Sequence, residues 1–150
     1  MKTLSIINLK GGVAKTISTA TMAYILAAER GYRVLMIDND KQGNLSKMYD
    51  LHNYDHRGTD SLMTERSPIM AALIQHTDYA GLDIITSNMT LINANLTVQT
   101  DQRRPQHDRF KKALSRIADQ YDFCLIDNAP DINISTVNAL VASDYVMIPV

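Results

Sequence analysis

The segment KGGVAKT, at 10–16, constrains the fold more than any other part of the chain. It follows a mostly apolar run at 4–7 and precedes a long helical pattern. A buried strand, a glycine turn and a helix N-terminus together form an anion site, because the first N–H groups of a helix have no partners within it. Gly11 and Gly12 let the backbone approach a phosphate closely. The sequence therefore predicts a phosphate-binding turn between the first strand and the first helix.

Two side chains at the end of this turn suit a triphosphate and its metal ion. Lys15 would reach the outer phosphates, and the hydroxyl of Thr16 would ligate Mg²⁺. The usual phosphate-loop pattern, G-x-x-x-x-G-K-[ST], is not met, since Leu9 and Ala14 stand at its two glycine positions. Because alanine resists positive φ, we expect Ala14 to have a negative φ at the helix entrance. The alternative is a glycine turn with two solvated lysines.

Strand and helix patterns alternate along the whole chain, which is typical of an α/β domain with a mainly parallel sheet. The predicted strands cover 3–8, 33–38, 82–86, 121–127 and 144–150. Among the predicted helices are 15–30, ended by Gly31, then 70–75 and 106–119. A length of 150 residues with 45% hydrophobic and 21% charged residues suits one domain with a real core. No unbroken apolar run is long enough to span a membrane.

Carboxylates follow two predicted strands directly at their C-terminal ends. Asp38 ends the second strand, with Asp40 two residues later, and Asp127 ends the fourth. Ligands of α/β sheets bind at this edge, so these groups should lie near the phosphate turn. A buried carboxylate without a partner is costly, which favours a metal or hydrogen-bonded role for Asp127. For Asp38 and Asp40, turn formation and helix capping are the alternative.

Three of these segments resemble motifs of the ParA/MinD family of ATPases. Residues 10–16 are similar to its deviant Walker A motif, K-G-G-x-G-K-[ST], with Ala14 in place of glycine. Residues 38–44, DNDKQGN, resemble the D-x-D-P-Q-G-N motif of ParA and Soj proteins, with Lys41 in place of proline. The strand that ends at Asp127 resembles a Walker B strand. On this resemblance residues 1–150 are expected to be one P-loop NTPase-like domain, helices covering both faces of its sheet, and the N-terminal part of a longer ParA-type protein.

The resemblance implies a magnesium-dependent ATPase that dimerises on ATP and acts in plasmid or chromosome partition. The implied catalytic residues are Lys10, which reaches the partner's phosphates, Lys15, and Asp40, which positions water. The implied nucleotide-binding residues are Lys10, Gly11, Gly12, Val13, Ala14, Lys15, Thr16 and Ile17. The implied metal site comprises Thr16, Asp38 and Asp127.

Two further residues depart from the family pattern near this predicted site. Ile17 stands where the family usually has Thr or Ser, and we expect its side chain to pack rather than bind. Asp131 replaces a small residue. A further carboxylate so near the phosphates would repel them, so we expect Asp131 to point away.

The resemblance also implies partners and a location. The implied partners are ATP and ADP, a ParB-like centromere-binding protein, and non-specific DNA through a surface mostly outside this chain. The implied location is cytoplasmic and nucleoid-associated, with no membrane, and the single cysteine, Cys124, agrees with a reducing compartment. One alternative is a MinD-like regulator on a membrane, against which the Q-G-N ending at 42–44 argues. Another is a truncated nucleotide-binding remnant without turnover.

A basic cluster lies outside the three motifs. Residues 101–116 contain six arginines and lysines against two aspartates. We favour the solvated face of a helix as its explanation. The alternative is a weak, salt-sensitive contact with nucleic acid.

Overall fold

The structure, a computed structural model, describes residues 1–150. Its strands are β1 (Lys2–Ile6), β2 (Val34–Asn39), β3 (Ile74–His76), β4 (Leu82–Ile85), β5 (Phe123–Asn128) and β6 (Tyr145–Met147). Its helices are α1 (Lys15–Tyr24), α2 (Asn44–Met48), α3 (Thr59–Thr64), α4 (Met70–Leu73), α5 (Thr90–Thr100), α6 (Arg109–Leu114) and α7 (Ile134–Ala142). A π-helical segment, Ile25–Glu29, continues α1, and a 3₁₀ turn, Ser115–Ile117, continues α6.

The six strands form one sheet in the order β3-β4-β2-β5-β1-β6. All neighbouring strands run parallel except β3, which pairs antiparallel with β4. The predicted mainly parallel sheet is confirmed, and each of the five predicted strands is present. The predicted helix over 70–75 is wrong in its second part, because Ile74 leaves α4 and pairs with Ile85 at the sheet edge. A run this short fits a helix and a strand equally well.

Apolar side chains of the central strands form two cores, one on each face of the sheet. In β2, Val34 and Met36 belong to one core, whereas Leu35 and Ile37 belong to the other. Alanines of α1 and its π-helical continuation cover the first face, and residues of α3, α5, α6 and α7 cover the second. The expectation of helices on both faces is confirmed.

The first helix ends where the sequence predicts. Gly31 has a φ of 73° and donates its N–H to the carbonyl of Ala27 at 3.0 Å, which closes the helix after the π-helical segment. Cys124 is fully buried in the second core. None of the helices combines the length and apolar character needed to cross a membrane.

Candidate functional site

The turn between β1 and α1 forms the base of the candidate site. Gly12 has a φ of 75°, and Ala14, directly before α1, is also left-handed, with φ 59° and ψ 26°. The expected negative φ of Ala14 is therefore wrong. Its carbonyl accepts the first helical bond, from the Ser18 N–H at 2.8 Å, while its own φ belongs to the turn. An L-residue in this conformation costs about 1–2 kcal/mol.

The two lysines of the turn differ in burial. Lys15 is buried, and its Nζ donates to the carbonyl of Lys10 at 3.2 Å. The Lys10 side chain is exposed. One cation is thus held against the turn, and the other extends into solvent.

Asp127 links the end of β5 to the first turn of α1. Its Oδ2 accepts a hydrogen bond from the hydroxyl of Thr16 at 2.7 Å. Its Oδ1 is buried and has no protein partner. The pKa of Asp127 is raised to about 6, chiefly by burial and also by the charge of Asp40, while the hydrogen bond from Thr16 opposes the rise. A buried carboxylate oxygen left without a donor is unusual and indicates a site for a cation or a water.

Asp38 lies opposite Asp127 in the parallel pairing of β2 with β5, but its carboxylate is used differently. Its Oδ2 accepts from the N–H of Ser46 at 2.8 Å and from the hydroxyl of Ser46 at 2.7 Å. Its Oδ1 accepts from the Asp40 N–H at 3.1 Å. Burial raises the pKa of Asp38 to about 7, against the lowering effect of the Ser46 hydrogen bonds. Asp38 therefore braces the turn after β2, and its contact with a metal shell stays a prediction.

A cavity of about 250 Å³ joins the phosphate turn to the turn after β2. It is lined by residues 11–17 together with Asp40, Asn44, Asn128 and Pro130. The half-exposed Asp40 therefore faces the predicted phosphate site. The expectation that Ile17 packs inside is wrong, because its side chain is 57% exposed at the rim of this cavity.

Sequence reasoning assigned no role to Asn44, Asn128 or Pro130. Asn128 directly follows Asp127 in β5, and it is hydrogen-bonded to Asn39 of β2 through a buried amide pair at 2.8 Å. Its position one residue beyond a predicted metal ligand was the only signal in the sequence. These residues complete the lining of the cavity.

Lys41 after β2 and Asp131 after β5 both depart from the family pattern, and their side chains contact each other. The Lys41 ammonium lies 3.8 Å from Asp131 Oδ2, and the Asn133 side-chain amide donates to Asp131 Oδ1 at 2.8 Å. Asp131 does not line the cavity at the phosphate turn. This placement agrees with the expectation that its carboxylate points away.

The residues around Asp127 fit a magnesium ion. Magnesium takes oxygen ligands and keeps several of its waters. The Thr16 hydroxyl lines the cavity and donates to Asp127, whose second oxygen is buried without a protein partner, so two suitable oxygens lie next to the phosphate turn. The adjoining turn provides the N–H groups that phosphate needs.

A comparison of sequences places this site in a family. The AAA_31 family, described as an AAA domain, matches residues 1–150. The chromosome partitioning protein ParA of Caulobacter vibrioides is 36% identical over 99% of this chain. The chain belongs to the ParA family. It spans 55% of the length of the Caulobacter protein.

Solved structures similar to this ParA-family chain support the same fold. Cobyrinic acid a,c-diamide synthase from Mycobacterium smegmatis, with bound ATP analogue and magnesium, matches with a TM-score of 0.90 and 29% identity. The match covers 100% of this chain and 60% of that one. A plasmid partition protein from Borrelia burgdorferi matches with a TM-score of 0.85 and 29% identity, over 99% of this chain and 65% of that one. The P-loop NTPase-like fold is confirmed.

Proposed function

We propose that residues 1–150 form the nucleotide-binding domain of a ParA-type partition protein that binds ATP with Mg²⁺ and hydrolyses it. The observation that carries the proposal is the hydrogen bond from Thr16 to Asp127, whose second oxygen is buried without a protein partner. Thr16 ends the turn at 10–16, and Lys15 lies close enough to Asp127 for its charge to lower the pKa of that carboxyl. The mycobacterial neighbour with bound ATP analogue and magnesium supports the choice of ligand.

Each residue has a defined part in this proposal. The N–H groups of residues 11–16 bind the phosphates, and Lys15 stabilises the charge that develops on the transferred phosphoryl group. Asp40 accepts a hydrogen bond from the attacking water and orients it in line with the scissile bond. Thr16 and Asp127 hold Mg²⁺, with Asp38 supporting its shell. The ion, when bound, neutralises charge on the phosphate oxygens.

The wider role of the protein belongs to the same proposal and rests on its likeness to ParA proteins. It comprises ATP-dependent dimerisation through Lys10, a ParB-like partner, non-specific DNA, and a cytoplasmic, nucleoid-associated location. The exposed Lys10 side chain supports the first of these, since it extends from the turn.

The decisive experiment is titration of ATP and Mg²⁺ followed by a turnover assay, on the parent protein and on Lys15→Ala. We expect Lys15→Ala to lower turnover by about 10²–10³-fold, because it removes a charge that stabilises the transition state. Lys111→Ala, an exposed lysine on α6, is the matched control and should leave turnover unchanged. Equal activity of the parent and Lys15→Ala would contradict the proposal.

Two further substitutions separate the parts of the mechanism. Asp40→Ala should retain ATP binding and lose hydrolysis, and unchanged turnover would remove its water-positioning role. Lys10→Ala should bind ATP as a monomer but fail to dimerise with ATP in sedimentation experiments. Normal ATP-dependent dimerisation of Lys10→Ala would contradict the role of Lys10.

A further inference from the structure

A second polar cavity lies between the C-terminal ends of α3 and α5 and the connection from α5 to α6. Its volume is about 660 Å³, and no hydrophobic residue lines it. We call it the arginine cleft, after the charged residues in its lining: Arg66, Arg103, Arg104 and Arg109, with Asp101. It shares no lining residue with the cavity at the phosphate turn.

Positive charge in the arginine cleft is only partly neutralised. Asp101 is its one carboxylate, and that group already contacts Arg109 at 2.9 Å and Arg103 at 3.7 Å. Arg66 makes no ion pair at all. The cleft therefore presents an excess of guanidinium groups to solvent.

The carboxylates next to the cleft form their ion pairs with other cations and not with its arginines. Glu65 contacts Arg57 at 3.0 Å. Asp108 contacts Lys112, one turn further along α6, at 2.8 Å. Neither carboxylate forms an ion pair with Arg66 or Arg103.

Two of the four arginines have a structural use. Arg109 donates to the carbonyl of Met63 at 2.7 Å, and Arg104 donates to those of Thr64 and Glu65, both at 3.2 Å. These carbonyls at the end of α3 would otherwise lack partners. The expectation of a solvated helix face is thus wrong for Arg109, whose side chain is 3% exposed. Capping of α3 does not account for Arg66 and Arg103.

The arginines are also close enough to repel one another. Burial lowers the pKa of Arg104, the charges of Arg109 and Arg66 lower it further, and the charges of Asp101 and Asp108 oppose this in part. Arg104 uses two of its five N–H donors on the α3 carbonyls. A bound anion would relieve the repulsion and take up the remaining donors.

We propose that the arginine cleft binds phosphate groups in series, as they occur in a nucleic-acid backbone or a polyphosphate. Guanidinium groups match phosphate oxygens in geometry as well as charge. No aromatic or hydrophobic residue lines the cleft, so it offers a base no ring for stacking and suits the charged backbone rather than the base sequence. For a nucleic acid, the cleft rests on the non-specific DNA binding proposed above and gives it a place within this chain, but it does not depend on ATP hydrolysis at the phosphate turn.

The test measures binding of a fluorescent 20-base-pair duplex by anisotropy, at several salt concentrations and without nucleotide. The variant carries Arg66→Ala and Arg103→Ala. Both side chains are exposed, so it should keep the melting temperature and ATP turnover of the parent. The control carries Lys2→Ala and Arg30→Ala, which remove the same charge from exposed positions outside the cleft. We expect the variant to bind at least about tenfold more weakly at low salt, with a salt slope smaller by about 2, and the control to change little.

Inorganic tripolyphosphate, titrated by calorimetry, separates the two sources of phosphate. Duplex binding that depends on the cleft assigns it to a nucleic-acid backbone, whereas tripolyphosphate binding that depends on Arg66 and Arg103, without duplex binding, assigns it to free polyphosphate. Equal losses in variant and control, or no binding of either probe, would overturn the proposal. Tighter cleft-dependent binding of poly-glutamate than of both probes would also overturn it, since the site would then prefer carboxylates.

Discussion

Two strand-to-helix junctions meet at the candidate site, and they use the same backbone device for different purposes. The residue before α1 is Ala14, with φ 59° and ψ 26°, and the residue before α2 is Gly43, with φ 63° and ψ 33°. A Cβ on Gly43 would lie 2.7 Å from the Ser87 carbonyl oxygen, whereas Ala14 carries its Cβ at an exposed position. The second junction is closed by packing, and the first is open for a ligand.

The aspartates near the C-terminal ends of β2 and β5 show the same difference between a closed and an open arrangement. Asp38 accepts hydrogen bonds on both carboxylate oxygens, so it has a structural use in the protein alone. Asp127 retains one buried oxygen without a donor. The comparison separates a part of the site that is complete in the folded chain from a part that a ligand completes.

The substitution Gly43→Ala is expected to have the largest effect on the free energy of unfolding. Positive φ costs about 1–2 kcal/mol and the clash with the Ser87 carbonyl adds about 1–3, so we expect a loss of about 3 kcal/mol in the free energy of unfolding. Gly31→Ala is the control, because Gly31 also has a positive φ but a Cβ added there would meet no atom within 4 Å. It should lose only about 1 kcal/mol. Urea denaturation measures both, and equal losses would show that the second junction is not closed.

The next effect distinguishes the two carboxylates. Asp38→Ala leaves three donors of Ser46 and Asp40 without their acceptor, so we expect it to lower the free energy of unfolding by about 2–3 kcal/mol. Asp127→Ala removes the acceptor of only one donor, the Thr16 hydroxyl, and should lower the free energy of unfolding by about 1 kcal/mol or less. In the proposed function Asp127→Ala also abolishes the strengthening of ATP binding by Mg²⁺. Thermal unfolding with and without Mg-ATP checks both, and the reverse order of stabilities would contradict the assignment.

A smaller effect, of opposite sign, is expected at the open junction. Ala14→Gly removes the strain of a left-handed alanine but gives the unfolded chain more freedom, so we expect a net gain of up to about 1 kcal/mol. The same denaturation experiment measures it. A loss of stability would mean that the Ala14 methyl group has a packing role that the exposed turn does not show.

The smallest effect lies at the opposite ends of β2 and β5, where an ion pair forms without any ligand. Arg33 contacts Asp122 at 2.9 Å, and hydrogen bonds from Arg33 lower the pKa of Asp122 to about 2. The folded pKa lies below the unfolded value of about 3.9, so the contribution to stability is complete above that pH and is lost as pH falls towards 2. An NMR titration of Asp122 in Arg33→Ala should show its pKa raised towards the unfolded value. An unchanged pKa would assign the shift to another group.

The sequence was sufficient for the parallel sheet and for the meeting of the phosphate turn with Asp40 and Asp127, because alternating patterns and strand-end carboxylates fix both. It was insufficient for Ala14 and Ile17, whose conformation and exposure depend on how the turn enters α1. It also missed β3, since Ile74 changes from helix to strand only when β4 offers an edge. The hydrogen bond from Arg109 to the end of α3 could not be predicted, because its acceptor, the Met63 carbonyl, is distant in sequence.

The hydrogen-bonded ladder between β2 and β5 has one more consequence. Asn39 and Asn128 are paired in register and joined through their amides, one residue beyond Asp38 and Asp127. The main-chain pairing of the two strands therefore fixes the spacing between Asp38 and Asp127. The N–H of Ala129, which donates to the Asn39 carbonyl at 3.3 Å, extends the same ladder by one residue, so neither aspartate can shift without the other.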